Sequence, residues 1–206
     1  MKRMSTIVLA GLLLVSGKPA RAQSASSEVD PASQFNESGH LVSNGRLVSF
    51  LIRRLPINSF PRLPDEIANE LVQRGCLIPQ TYEAHRPENV IHASLEHRGS
   101  SDWAVLCSAH GQVSLLVFFG SDPSQPMELA SAKETSRLQA HGASRILGFN
   151  WGIDPASPDQ IEESASETNS GPTTFDHDAV SDSVIDQQRV FHYFFKGKWT
   201  VLQVAQ

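Results

Sequence analysis

The chain has two cysteines, Cys76 and Cys107, and the residues around each limit the folds open to it. Cys76 closes the stretch "LPDEIANELVQRGC". There Pro64 suits a first helical position, Asp65 and Glu66 suit the positive end of a helix, and Gly75 suits a left-handed stop. A helix is predicted, with Ile67, Ala68, Leu71 and Val72 as its narrow apolar stripe. Cys107 ends "DWAVLC", a short apolar run that reads as a buried strand. A helix packed on that strand's sheet would bring Cys76 to the sheet surface where the helix stops, so a Cys76–Cys107 disulfide is expected. On the chain-entropy model such a link contributes roughly 3–4 kcal/mol. No CxxC is present, and two sulfurs alone make a poor zinc site.

An oxidising compartment fits the N-terminus, "MKRMSTIVLAGLLLVSGKPARAQSAS". Lys2 and Arg3 form a positive region, Ile7 to Val15 an apolar one, and Ala20-Arg21-Ala22 a small-x-small cleavage site, so residues 1–22 read as a signal peptide cut after Ala22. The expected location is secreted or periplasmic. Removing 1–22 would take the formal net charge from -5 to -9, because four of the Lys+Arg and none of the Asp+Glu lie there. An acidic chain without clustered Lys/Arg argues against a nucleic-acid partner. No later run approaches the roughly 20 apolar residues of a spanning helix, so membrane insertion is not expected.

Residues 23–40 are Ser-rich, polar and aperiodic, which predicts a flexible leader. Leu47, Leu51 and Leu55, with Val48 and Ile52, recur at helical spacing and predict a short helix over about 46–54. From Asn89 the period changes. "NVIHASL", "DWAVLC" and "VSLLVFF" read as strands, with His110-Gly111 as a hairpin turn between the second and third. "SRILGFNW" reads as a fourth strand. Ser157, Pro158 and Gln160 then form a capping box that starts a short helix, and a polar loop follows at about 165–175. "AVSDSVI", "RVFHYFF" and "WTVLQV" close the chain as strands, the last two joined at Lys196-Gly197-Lys198. Strands with short connections favour antiparallel pairing. The expectation is a single α+β domain over 41–206, mainly antiparallel sheet with two or three short helices.

"RGSSDWAVLC", an exposed Gly/Asp turn leading into D-x-A-V-L and a second apolar strand, resembles a single FG-GAP-type β unit. Calcium versions of that unit alternate several acidic ligands, since Ca²⁺ takes six to eight oxygens. Here the loop offers Asp102 with Glu96 further back, which favours Asp102 as a turn cap, with Trp103, Val105 and Cys107 sharing one face. The wider order of "RGCLIPQ", "DWAVLC", "DHD" and "GKW" resembles a group of uncharacterised exported bacterial proteins. That resemblance implies export and a single domain and conveys no activity.

"FDHDAVSD" is the densest polar stretch. Asp176, His177, Asp178 and Asp182 there could serve a metal or a general base. The plainer reading is a solvated turn, and on a strand Asp176 and Asp178 would share the face opposite His177. His85, His92, His97, His110, His141 and His192 show neither HExxH nor His-x-His spacing. There is no GxSxG elbow, P-loop, dinucleotide fingerprint or kinase signature, so no cofactor is expected and no metal site is assigned. Tyr193 and Trp199 are the candidate binding residues, as an aromatic platform for a sugar or peptide. The favoured function is a non-catalytic binding or inhibitory module of the cell envelope, with an unknown protein or glycan as partner. The alternative is a small hydrolase or metal-assisted enzyme using Asp176, His177 and Asp178.

Overall fold

The structure is a computed structural model that describes residues 34–120, 122–142, 145–164, 172 and 174–204. Its elements run β1 (Glu37–Ser43), β2 (Arg46–Leu55), α1 (Asp65–Gln73), β3 (Ile78–Gln80), β4 (Val90–Ala93), β5 (Asp102–Ala109), β6 (Gln112–Phe119), β7 (Asp122–Lys133), β8 (Leu138–Ala140), β9 (Leu147–Phe149), β10 (Trp151–Ala156), α2 (Pro158–Ser164), β11 (Ala179–Val184), β12 (Gln188–Phe195) and β13 (Lys198–Gln203). They form three sheets, β1-β2-β9-β8 with β3 beside β2, β4-β5-β6-β7, and β10-β11-β12-β13. All pairs are antiparallel except β2–β9. The protein is thus mainly β, with two α-helices among the described residues, and no described helix is long and apolar enough to cross a membrane.

The second sheet lies at the centre of the packing, because β5 is buried on both faces. Ala104 and Leu106 join Phe50, Ile52, Trp151, Ile153 and Val180 in a core shared by all three sheets. The alternate residues Trp103, Val105 and Cys107 turn to the other face and meet Ile67 and Leu71 of α1. This is the shared face expected from period-2 alternation. Cys76 and Cys107 are bonded across that seam with 5.0 Å between their Cα atoms. Gly75 takes φ +72 and ends the helix. Pro64 serves as N-cap rather than first helical residue, and Val72 points outward, 62% exposed, so the buried stripe is Ile67 and Leu71 with Ala68 beside them.

Two expectations fail at the start of the described chain. Residues 46–54 are not a helix but most of strand β2. Their leucine spacing meets a two-residue turn at Asn44-Gly45, both at positive φ, which folds β1 back onto β2 with Ser43 opposite Arg46. Positive φ at both turn residues matches the twist of a hairpin. The leader expected over 23–40 ends earlier than that, since Glu37 to His40 already pair with β2. The signal peptide and residues 23–33 of that leader lie outside the described residues.

The third sheet follows the sequence more closely. "SRILGFNW" divides between β9 and the start of β10, two strands of different sheets. The α2 capping box forms as expected: Gln160 N–H donates to Ser157 Oγ (3.4 Å) and Ser157 N–H donates to Gln160 Oε1 (2.9 Å). His110-Gly111 and Lys196-Gly197 both turn hairpins at positive φ. Strand β12 is interior, between β11 and β13. The polar loop at 165–175 lies mostly outside the described residues.

Candidate functional site

Asp102, fully buried, organises the turn that precedes β5. Its Oδ2 accepts from Leu95 N–H (2.7 Å), Glu96 N–H (2.8 Å) and the Ser100 hydroxyl, and its Oδ1 accepts from Gly120 N–H (2.8 Å). The carboxylate is saturated by donors of its own chain, which is the turn-capping role expected for it.

The polar residues of "FDHDAVSD" diverge. His177 Nδ1 lies 2.7 Å from Asp176 Oδ1 and 2.8 Å from the Tyr193 hydroxyl, and its Nε2–H donates to the carbonyl oxygen of Phe194 (2.9 Å). The segment is a loop rather than a strand, so adjacent Asp176 and His177 can meet although strand alternation would have separated them. Asp178 turns away and clasps the second sheet: its Oδ2 accepts from Ser94 N–H (3.0 Å), and its own N–H donates to Ser94 O (2.9 Å). Asp182 belongs to a third group, accepting from Trp151 Nε1–H (2.6 Å) and lying 3.0 Å from His192 Nε2. Asp176, His177 and Asp178 therefore do not converge. Hydrogen bonds from His177 and then Tyr193 hold the Asp176 carboxyl below the usual carboxylate range. Burial, first among several causes, pushes the Tyr193 phenol up to about 12.

That burial corrects the open platform expected at Tyr193, which is 1% exposed. Its face of β12 packs in a core with Ala156, Ile161, Ala179 and Leu202, and Phe175 meets its ring edge-on at 5.0 Å. Trp199 lies on the opposite face, half-buried among Phe194 and Phe119 at ring distances of 5.3 and 5.9 Å. Its Nε1 is buried and has no hydrogen-bond partner among the described residues.

A concave site forms elsewhere, from segments far apart in sequence. The 81–89 loop makes one wall, the β11–β12 turn at 185–189 makes the other, and Gly152, Asp154 and Ser183 lie between them, enclosing about 970 Å³. Glu83, Glu88, Asp154 and Asp186 line it, with Arg189.

Three side chains fix the loop wall from behind. The Arg53 guanidinium donates to the carbonyls of Thr81 (2.6 Å) and Ala84 (2.9 Å). The Gln80 side chain donates to Glu88 O (3.2 Å) and accepts from Glu88 N–H (3.0 Å). Asn89, buried and at φ +67, donates from Nδ2 to Pro79 O (2.7 Å) and Trp151 O (3.3 Å) and accepts at Oδ1 from Ile153 N–H (3.0 Å). Its amide thus occupies the free edge of β10, as a neighbouring strand would.

Tyr82 stands beside the groove, between the lining residues Thr81 and Glu83 in sequence and outside the lining itself. Its ring stacks on His141 (4.3 Å, 5° between planes), and its hydroxyl lies 3.5 Å from Asp186 Oδ2. The pair rests on Gly148, where a Cβ would come within 2.5 Å of Tyr82 Cβ. Partial burial, then the charges of Asp186 and Glu83, raises the Tyr82 phenol above its ordinary value. Sequence reading missed this groove because no single stretch carries it; the left-handed Asn89 and Asp186 are its faint local signals.

No family model, curated protein or solved structure matches the chain. The likeness to an FG-GAP-type unit rests on Arg98 to Cys107 alone. Among the described residues no group of three His, Cys, Asp or Glu is placed to hold a metal ion.

Proposed function

We propose that this is an exported, non-catalytic binding module of the cell envelope, and that it meets its partner through the groove between the 81–89 loop and the β11–β12 turn. The observation that carries the reading is the fixed wall of that groove. Three internal side chains, Arg53, Gln80 and Asn89, hold the loop in place, and a site held rigid before contact loses less free energy on binding. The Cys76–Cys107 bond fits an extracellular or periplasmic setting.

Affinity capture from envelope extract tests the reading. The oxidised protein should retain a partner that Asp186→Arg loses and Trp199→Ala keeps. Loss with Trp199→Ala alone would move the contact to the Trp199, Phe194 and Phe119 cluster. Retention of neither a protein nor a glycan would overturn the reading.

A second reading, a small hydrolase, has the 2.7 Å contact of Asp176 with His177 in its favour. Against it, the other ring nitrogen of His177 is held by a backbone carbonyl, which leaves no free nitrogen to move a substrate proton. Hydrolysis of an ester, amide or glycoside that disappears in His177→Ala would favour this reading over the first.

A further inference from the structure

We propose that the groove is a binding site for a neutral or amine-bearing oligosaccharide, with Tyr82, beside the lining, as the stacking ring. The inference rests on the binding-module reading and adds the class of ligand.

The lining favours a hydroxyl-rich ligand. Gln188 offers an amide that both donates and accepts, while Ser183, which donates to Gly152 O (3.2 Å), and Gln187, which donates to Gln139 Oε1 (2.8 Å), keep acceptor oxygens for a ligand. Asp154 and Asp186 are exposed carboxylates, and a carboxylate can accept from two neighbouring sugar hydroxyls at once. The volume, about 970 Å³, lies near the upper end of small-ligand clefts and suits several linked rings rather than one. Tyr82 is half-exposed beside these polar groups; His141 covers one face of its ring, so a ligand would stack on the other, and its hydroxyl lies 3.5 Å from Asp186 Oδ2. An apolar body with a polar tip suits a ligand whose ring faces carry C–H groups and whose edges carry hydroxyls.

Charge narrows the class. Four carboxylates, Glu83, Glu88, Asp154 and Asp186, face the groove against one cation, Arg189. Uronic, sulfated or phosphorylated glycans would be repelled, whereas neutral or amino sugars would not.

A peptide strand is disfavoured by the edge of β10. Extended peptides bind by adding a strand to an open sheet edge. Here the side chain of Asn89 already bonds Ile153 N–H and Trp151 O, the groups such a strand would need.

Isothermal titration of the oxidised full chain decides the matter, using a β-1,4-linked N-acetylglucosamine tetramer, its de-N-acetylated counterpart and a tetragalacturonate. Saturable binding is expected for the first two and none for the third. Tyr82→Ala should weaken binding about tenfold, and Asp186→Asn should weaken it several-fold. Should Tyr82→Ala fail to fold, chemical-shift changes on the Gln187 and Gln188 side-chain amides of the unmodified protein give the same answer. The proposal is overturned by no saturable binding of either tetramer up to about 10 mM, by binding indifferent to both substitutions, or by preference for the acidic tetramer. A captured envelope protein that Asp186→Arg loses, with no sugar bound, would remove the ligand class and leave the binding module standing. Failure of both capture and titration would remove both.

Discussion

Gly120 donates its backbone N–H to Oδ1 of Asp102 across 2.8 Å, joining the end of β6 to the first residue of β5. The two are matched in shape as well. A Cβ at position 120 would stand 2.5 Å from the carbonyl oxygen of Ser101, closer than backbone can tolerate. Asp102→Ala should leave the N–H groups of Leu95, Glu96 and Gly120 without their acceptor and destabilise the fold by roughly 3–5 kcal/mol. Asp102→Asn, which keeps an acceptor oxygen, should cost less. Urea denaturation measures both, and faster amide exchange at Leu95 and Gly120 should mark the site of the damage. Gly120→Ala should also destabilise, through the clash with Ser101.

Asn89 ties strands of two sheets through three hydrogen bonds, to Pro79, Trp151 and Ile153. Asn89→Ala should cost roughly 2–4 kcal/mol, mainly from buried backbone groups left unpaired. Asn89→Gly suits φ +67 and isolates the lost amide from backbone strain. If Asn89→Gly matched the native denaturation midpoint, the bridging role of the amide would be refuted.

The Asp176, His177 and Tyr193 cluster predicts a response at both pH extremes. The folded Asp176 carboxyl titrates below its ordinary value of 3.8. Its contribution is therefore fully present above that value and is lost as pH falls through the lowered one. Asp176→Asn should flatten the acid limb of the stability curve. Tyr193 behaves in the opposite sense. Raised from 10.0 to about 12, it contributes stability below pH 10 that disappears as pH rises toward 12, and Tyr193→Phe should remove that alkaline loss. Urea midpoints measured across pH check both limbs.

Reducing the Cys76–Cys107 bond, which spans a separation of 31, should lower stability by roughly 3–4 kcal/mol on the chain-entropy model. Cys76→Ser with Cys107→Ser should match the reduced protein. Because α1 also packs on the sheet through Ile67 and Leu71, the variant should keep its far-UV dichroism while its urea midpoint falls.

The parts of the fold legible in the sequence were those whose signals are local. The α1 stop at Gly75, the Ser157/Gln160 capping box and the His110-Gly111 hairpin each depend on residues within one turn of chain. Strand β2 was misread because Leu47 and Leu51 face outward, 71% and 39% exposed, and imitate a helical stripe. The inward pair, Phe50 and Ile52, carries the true period of two. Strand β7 passed unnoticed because "DPSQPMELASAK" holds two prolines and few β-branched residues. Its pairing with β6 shifts register twice, as an edge strand can without disturbing a second neighbour. The groove was invisible because its two walls lie about a hundred residues apart in the chain, where only tertiary packing brings them together.

The parallel contact of β2 with β9 sets an order for assembly. Neighbouring strands in the second and third sheets are consecutive along the chain, so all of them but β10 and β11, which α2 and its flanking loops separate, can zip through local closures at small entropic cost. The first sheet is different. Phe50 must find Leu147 with the whole second sheet and α1 lying between them in sequence. Contacts of such long range slow folding. The second sheet should therefore form before the chain's earlier and later portions are united, and the groove, whose loop wall is pinned from β2 by Arg53, should take its final shape at that late step, which pulse-labelled amide exchange during refolding would time.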